Sequence, residues 1–290
     1  MDLRAIAMGL AFAIMWSSAF TSARMIVMDA PPLTALALRF LISGLIGIAI
    51  ALALGQSWRL TRRQWRATMV FGICQNTLYL GLNFVAMQTV QASLAAIIAS
   101  TMPLLVAFAG WVIFRERLGV LGIIGLIIGV TGVVIIMSAR LTAVGIDLTG
   151  VALCGLGALA LTFATLAVRG ASSGGNVLMI VGLQMLVGSA ALAVAAVIFE
   201  DWQINWTWRL VGAFSYTTLI PGLAATWVWF KLVNRIGTVR AATFHFLNPF
   251  LGVAIAALLL GEVLGARDII GVVVIAAGIL AVQLSRQPSR

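Results

Sequence analysis

Ten apolar runs, each near the roughly 20 residues that a helix needs to cross the hydrocarbon core of a bilayer, lie at 5–26, 33–54, 67–87, 92–113, 119–138, 148–168, 177–198, 210–230, 241–260 and 269–285. They leave no stretch for a soluble domain in a chain of 290 residues. A soluble fold has nowhere to hide so much apolar surface: 62% of the residues are hydrophobic and 9% charged, against roughly 45–50% and about 25% in soluble domains. A transmembrane β-barrel would instead alternate over segments of about ten residues. The expected fold class is an all-α polytopic membrane protein, with backbone polar groups satisfied inside each helix.

The net charge of +10 suggests nucleic acid until its positions are followed. With the N-terminus inside, Arg4, Arg59, Arg62, Arg63, Arg66, Arg115, Arg117, Arg169, Lys231, Arg235, Arg240, Arg286 and Arg290 fall on the inner side, 13 of the 18 basic residues. Arg24, Arg140, Arg209 and Arg267 fall outside, and Arg39 lies within the second run. Six of the eight acids (Asp29, Asp147, Glu200, Asp201, Glu262 and Asp268) are also outside. This is a positive-inside pattern with both termini cytoplasmic. The basic excess sets topology, and its partner is anionic lipid, not nucleic acid. The first run is longer than the 7–15 residues of a signal-peptide core, so no cleavage is expected. Cys74 and Cys154 sit inside runs without metal-ligand spacing and read as small buried hydrophobes.

Residues 91–138 recur 146 positions later, at 237–284. Pro103, Glu116, Gly119, Gly125 and Gly132 become Pro249, Glu262, Gly265, Gly271 and Gly278. A duplicated hydrophobic unit points to a transporter with its substrate site at the repeat interface. Two domains are expected, 1–145 and 146–290. Each holds five runs, an odd number, so the second copy must be inverted. Charge agrees: the inner turn Arg115-Glu116-Arg117 corresponds to the outer turn Gly261-Glu262-Val263, which lacks both arginines.

Trp16-Ser17-Ser18-Ala19-Phe20, Pro31-Pro32-Leu33-Thr34 and Leu38-Arg39-Phe40 resemble the opening of EamA-type members of the drug/metabolite transporter superfamily. Pro103 followed by Arg115-Glu116-Arg117-Leu118 resembles the end of that family's repeat, and Asn248-Pro249 followed by Gly261-Glu262-Val263-Leu264 resembles it again. The resemblance covers essentially the whole chain. It implies ten helices in two inverted five-helix repeats around a central cavity. Within the family the chain looks most like the YddG-type aromatic and neutral amino-acid exporters of bacterial inner membranes.

Polar residues inside the runs are the candidate substrate site. Gln75, Tyr79 and Asn83 recur every four residues in segment 3, with Asn76 beside them, which makes one helical stripe. Unsatisfied amides in hydrocarbon are costly, so the stripe lines a cavity or binds a neighbouring helix. Segment 9 carries His245, the single histidine, with Asn248, Pro249 and Gly252 on the same face. His245 reads as a packing residue, a cavity wall or a proton relay. Pro249 and its counterpart Pro103, which follows Ser100 and Thr101, remove backbone donors at corresponding positions, a pointer to a transport site or two kinks for packing. Trp16 and Ser17 in segment 1, Thr165 in segment 6, and Tyr216 and Trp227 in segment 8 complete the candidate walls. Trp16, Tyr79 and Trp227 lie deep enough to meet a substrate side chain or its ammonium group. The resemblance implies a structural role for Arg39; the alternative is a carboxylate clamp or a gate. Gly125 and Gly129 form a GxxxG spacing for close helix packing, at a subunit contact or within the chain.

No carboxylate lies inside a run, which favours facilitated transport over proton-driven pumping. No phosphate-binding GxxxxGK[ST] loop, no metal-spaced cluster and no nucleophile–histidine–acid set is present, so no cofactor and no metal is expected and the chain does not read as an enzyme. The expected function is amino-acid export by alternating access in the bacterial inner membrane, as a monomer or weak homo-oligomer. The alternatives are export of another metabolite or drug, and an integral-membrane enzyme acting on lipid head groups, for which clustered acids or histidines are missing.

Overall fold

A computed structural model describes residues 3–115, 118–141, 147–167 and 174–285. Glu116, Arg117, Arg169, Arg286 and Arg290 of the charge pattern lie outside the described residues, as does the side chain of Arg140. The described residues are helical with short turns and no strand. In chain order the helices are α1 (Leu3–Val27), α2 (Pro32–Ala53), α3 (Arg62–Ala86), α4 (Ala92–Ser100 and Met102–Phe114), α5 (Val120–Leu141), α6 (Leu148–Ala167), α7 (Val177–Phe199), α8 (Trp208–Leu219, then Ile220–Ala224 and Ala225–Ile236), α9 (Thr238–Ala242, Thr243–Leu247 and Asn248–Leu260) and α10 (Ala266–Ser285). Among the described residues nine helices are long and apolar enough to cross a membrane. The tenth run, α8, is helical throughout but carries Ser215, Tyr216, Thr217, Thr218 and Pro221 in its middle. Leu258 and Val263, both 82% exposed, and Phe199, 78% exposed, are the kind of bare apolar surface that lipid covers.

The helix ends follow local chemistry. α3 starts earlier than its apolar run because Thr61 and Gln64 form a reciprocal capping box, each side chain bonded to the other's backbone N–H. The Glu200 carboxylate accepts the N–H groups of Leu33 and Thr34 at 2.6 and 2.8 Å. Glu262 does the same for Ala92 and Ser93 at 2.7 and 3.0 Å. A carboxylate at a helix start meets unpaired N–H groups and the positive end of the helix dipole.

The chain divides into two compact units, each drawing on both halves of the sequence. The first comprises Met1–Thr21, Thr89–Val151 and Ala224–Arg290. Its spine is the antiparallel pair α5 and α10, where Gly125 faces Gly278 and Gly132 faces Gly271. A Cβ on any of these four glycines would lie 2.7–3.0 Å from the facing carbonyl oxygen. The GxxxG spacing of Gly125 and Gly129 therefore serves a contact inside this unit. The second unit comprises Ser22–Gln88 and Ala152–Leu223. Its spine is α2 against α7, again antiparallel. A Cβ on Gly44 or Gly182 would come within 3.0 Å of the other's carbonyl, and Ser189 Oγ donates to the Ala37 carbonyl at 2.8 Å. Both spines pair helices that correspond under the 146-residue offset.

Backbone irregularities follow the same offset. α3 widens into a π-helix at Gly72–Tyr79, and α8 does so at Ile220–Ala224, whose counterparts are residues 74–78. α4 breaks at Thr101, and α9 narrows into a 3-10 turn at Thr243–Leu247, ending at the counterpart of Thr101. α4 and α9 are capped by Arg115 (φ 53°) and Gly261 (φ 67°), which correspond and are both left-handed.

Candidate functional site

In the first unit the break in α9 sets His245 among aromatic rings. Its ring centroid lies 5.4 Å from Phe12 and 6.4 Å from Trp16, both edge-on, and 5.3 Å from Trp229, tilted. Phe12 in turn sits 5.7 Å from Trp16 and 4.8 Å from Trp229. Such offset and T-shaped arrangements suit the ring quadrupoles. Asn248, one turn along, brings its amide Nδ2 2.9 Å from His245 Nδ1. The Ser17 hydroxyl lies 3.4 Å from Asn248 Oδ1 and donates to it, which leaves the amide N–H pointing at the imidazole. His245 Nδ1 is then the acceptor, so the ring is neutral and carries its proton on Nε2. Ala5, Leu232, Ala241 and Phe244 form a buried core against which Trp229 and Leu247 pack. Trp16, His245 and Asn248 remain half-buried, so this cluster keeps an accessible side.

Sequence spacing brought Trp16, Ser17, His245 and Asn248 forward, and the structure joins them. Phe12 and Trp229 were not among the candidates. Phe12 stands one helical turn before Trp16, a local signal that was available; Trp229 reaches the cluster only through the tertiary fold. The other candidates in this unit are placed differently. Ser100 and Thr101 flank the α4 break and donate back to the Ile97 and Ile98 carbonyls at 2.7 and 2.6 Å, so their hydroxyls keep only acceptor capacity. Trp227 is 54% exposed, and the face of its ring already carries the Lys231 ammonium at 3.8 Å.

In the second unit the π-helix of α3 rotates the polar stripe. Asn76, Tyr79 and Asn83 are buried, whereas Gln75 is half-buried. Asn76 Nδ2 donates to the Gln184 carbonyl of α7 at 2.8 Å, next to Gly188, whose missing side chain gives the amide its space. Asn83 Nδ2 donates to the Tyr79 carbonyl at 2.7 Å, and Asn83 Oδ1 is buried without a partner. A Cβ at Gly157 of α6 would stand 2.7 Å from Asn83 Nδ2 and 3.1 Å from the Tyr79 carbonyl, so this glycine makes room for both. Thr165 donates to the Leu161 carbonyl at 2.8 Å, and Tyr216 is 39% exposed.

Outside the spans, Asp29 gathers Arg209 (2.9 Å), Thr207 (2.9 Å) and Asn205 (3.4 Å). Burial raises its carboxyl pKa, but the three donors outweigh that and hold it below the usual carboxylate range. The hydrogen bond from Thr89 likewise lowers Asp147. A groove of about 1000 Å³ between the turns at 27–33 and 199–205 contains none of the candidate residues. Among the described residues no cluster of three or more His, Cys, Asp or Glu is arranged to hold a metal ion.

The model of the EamA-like transporter family matches residues 3–138 and again 148–284. The chain is 27% identical over 271 residues to the uncharacterized transporter YvbV of Bacillus subtilis, covering 93% of this chain and 88% of that protein. It is 24% identical over 286 residues to the uncharacterized inner membrane transporter YedA of Escherichia coli, covering 94% and 88%. A crystal structure 21% identical in sequence superposes with a TM-score of 0.71 over 98% of both chains, which shows the shared fold.

Proposed function

The chain belongs to the EamA-like transporter family, and from that premise we propose that it exports amino acids, aromatic and other neutral ones, by facilitated alternating access across the bacterial inner membrane. Membership makes it a multi-pass membrane transporter of a small-molecule substrate, rather than an enzyme. The finer reading rests on one observation: the half-exposed cluster of Trp16, His245 and Asn248 at the break of α9. Its rings suit a planar or apolar side chain, and a neutral imidazole and amide supply donors and acceptors without a fixed charge. Broken helices are where membrane transporters place their solutes. Among the described residues no carboxylate is hydrogen-bonded or ion-paired to His245, which supports a facilitator.

The topology proposed is two inverted repeats, 1–145 and 146–290, with both termini cytoplasmic. The antiparallel pairing of corresponding helices, α5 with α10 and α2 with α7, supports the inversion. So does the doubled family match.

The deciding experiment is counterflow of labelled L-phenylalanine and other neutral amino acids into proteoliposomes holding only this protein. Uptake should exceed that of empty liposomes without a pH gradient, and Asn248→Ala and Trp229→Ala should each reduce it about tenfold, the loss of a hydrogen bond and of a stacked ring. Uptake equal to empty liposomes, with or without a pH gradient, overturns the amino-acid reading and leaves another metabolite as cargo. Acceleration by an acid compartment in wild type but not in His245→Ala would replace facilitation by proton coupling.

A further inference from the structure

Arg39 is the one basic residue placed well inside an apolar run, and it is 6% exposed. Its Nε is buried without a hydrogen-bond partner. Two carboxylates at the start of α2 are committed elsewhere. Glu200 closes the start of α2 through Leu33 and Thr34, and Asp29 holds Arg209, Thr207 and Asn205. No ion pair to Arg39 is found among the described residues. The ring of Phe40 lies beside the guanidinium, 5.1 Å from Cζ to the centroid.

Opposite Arg39, α8 widens into the π-turn at Ile220–Ala224, a feature that recurs at functional sites. Pro221 has no N–H to return to the turn before it. Gly222 has no side chain: a Cβ there would lie 3.7 Å from Arg39 Nη2, 3.4 Å from Ser43 Oγ and 3.1 Å from the Thr217 carbonyl. The lack of a side chain at Gly222 therefore lets the α8 backbone come close to the guanidinium, with the Ser43 hydroxyl beside it. Ser43 is itself fully buried and makes only a long 3.5 Å contact to the Thr218 carbonyl. A planar fork of donors without an ion-pair partner among the described residues, with a hydroxyl at its edge, matches a carboxylate, which takes two parallel N–H bonds from one arginine.

We propose that Arg39, with Ser43 and the Gly222 turn, is a binding site for the carboxylate group of the transported solute. Naming that solute an amino acid rests on the function proposed above; the carboxylate preference does not.

The test uses the full-length protein in nanodiscs, with thermal stabilisation as the binding readout. The probes are L-phenylalanine, L-phenylalaninamide, 3-phenylpropionate, 3-phenylpropionamide, chloride and phosphate. Wild type should be stabilised by both carboxylates at concentrations at least about tenfold below those needed for their amides, the scale of a charge-assisted hydrogen-bond pair. Arg39→Gln should erase that difference, and Arg39→Lys should retain part of it. Gly222→Ala should weaken the carboxylates, because its methyl would stand against Arg39 Nη2 and Ser43 Oγ, at 3.7 and 3.4 Å. Should Arg39→Gln fail to fold, the acid-to-amide ratio in wild type and its decrease in Arg39→Lys and Gly222→Ala carry the same decision. Equal binding of acids and amides by wild type overturns the assignment, as does a ratio unchanged in a folded Arg39 variant. Chloride or phosphate displacing 3-phenylpropionate as effectively as phenylalanine does overturns the carboxylate specificity. If 3-phenylpropionate binds through Arg39 and no amino acid binds or moves, the amino-acid reading fails and the site stands. If amino acids move equally well through Arg39→Gln, the site fails and that reading stands.

Discussion

Gly278→Ala tests the packing argument most directly, because nothing around the new methyl can yield. The added Cβ would fall 2.5 Å from Gly129 N, 2.6 Å from Gly129 Cα and 2.7 Å from the Gly125 carbonyl, all backbone atoms of α5. Ordinary contact begins near 3.4 Å, so α5 and α10 must part by about 0.9 Å along the whole seam. Overpacking of a tight core costs about 1–3 kcal/mol, and a rigid backbone neighbour puts this case at the upper end. Replacing glycine by alanine inside a helix returns up to about 1 kcal/mol. The net loss is then about 2 kcal/mol, a fall in melting temperature of roughly 4–8 °C for a chain of this size class. Gly212→Ala in α8 is the matched control: nothing stands within 4 Å of its Cβ, so only the favourable helix term remains. Melting of the purified variants in one detergent, followed by loss of the monodisperse peak after heating, gives both numbers. Gly278→Ala melting at or above wild type would refute the interlocked glycine seam, and with it the antiparallel register of α5 on α10.

Glu262→Gln keeps the shape of the cap on Ala92 and Ser93 but removes its charge. The carboxylate is only partly buried, so the loss should be about 1 kcal/mol and should shrink in high salt. Unfolding at two salt concentrations measures it. Asp29 has a folded pKa below its ordinary 3.8, so its contribution is complete above that value and disappears as pH falls through the lower, folded one. Stability against pH should therefore show an acid limb in wild type that Asp29→Asn lacks, together with a lower plateau at neutral pH. Arg115 holds a left-handed φ of 53° where its counterpart is Gly261. Arg115→Gly should raise stability by up to about 1 kcal/mol by removing the Cβ penalty, read in the same melting assay.

The helices were legible in the sequence because length and apolarity are properties of each run alone. Boundaries depended on polar residues outside the runs: Thr61 and Gln64 start α3 at Arg62, in a basic stretch ahead of the apolar run. The polar stripe was read on α-helical spacing, and the π-helix at Gly72–Tyr79 changed which side chains share a face. Asn76 therefore turns to α7 while Gln75 stays half-exposed. Of the His245 cluster, the residues with polar atoms were visible, since polarity inside an apolar run is conspicuous. Phe12 and Trp229 look like any lipid-facing ring until the fold brings α1, α8 and α9 together.

The repeat holds in the backbone more faithfully than in the side chains. π-turns at 74–78 and 220–224, breaks at Thr101 and Leu247, left-handed caps at Arg115 and Gly261, and the glycine contacts of α5 with α10 all obey one offset of 146. Yet His245 corresponds to Ala99, Asn248 to Met102, Trp229 to Asn83, Phe12 to Ala158, Gly222 to Asn76 and Arg39 to Met185. A break or π-turn in a membrane helix frees backbone groups that hydrocarbon does not satisfy, so it persists only where protein or a wet cavity covers it. Carrying such features in both copies fixes where polar matter sits without saying which polar matter. Identical side chains on that frame would form two equal stations, suited to a symmetric solute or to none. An imidazole among aromatic rings in one unit and, in the other, a buried guanidinium with no ion-pair partner among the described residues are unlike groups on that common frame. The His245 and Arg39 experiments therefore read two separate proposals, one in each unit.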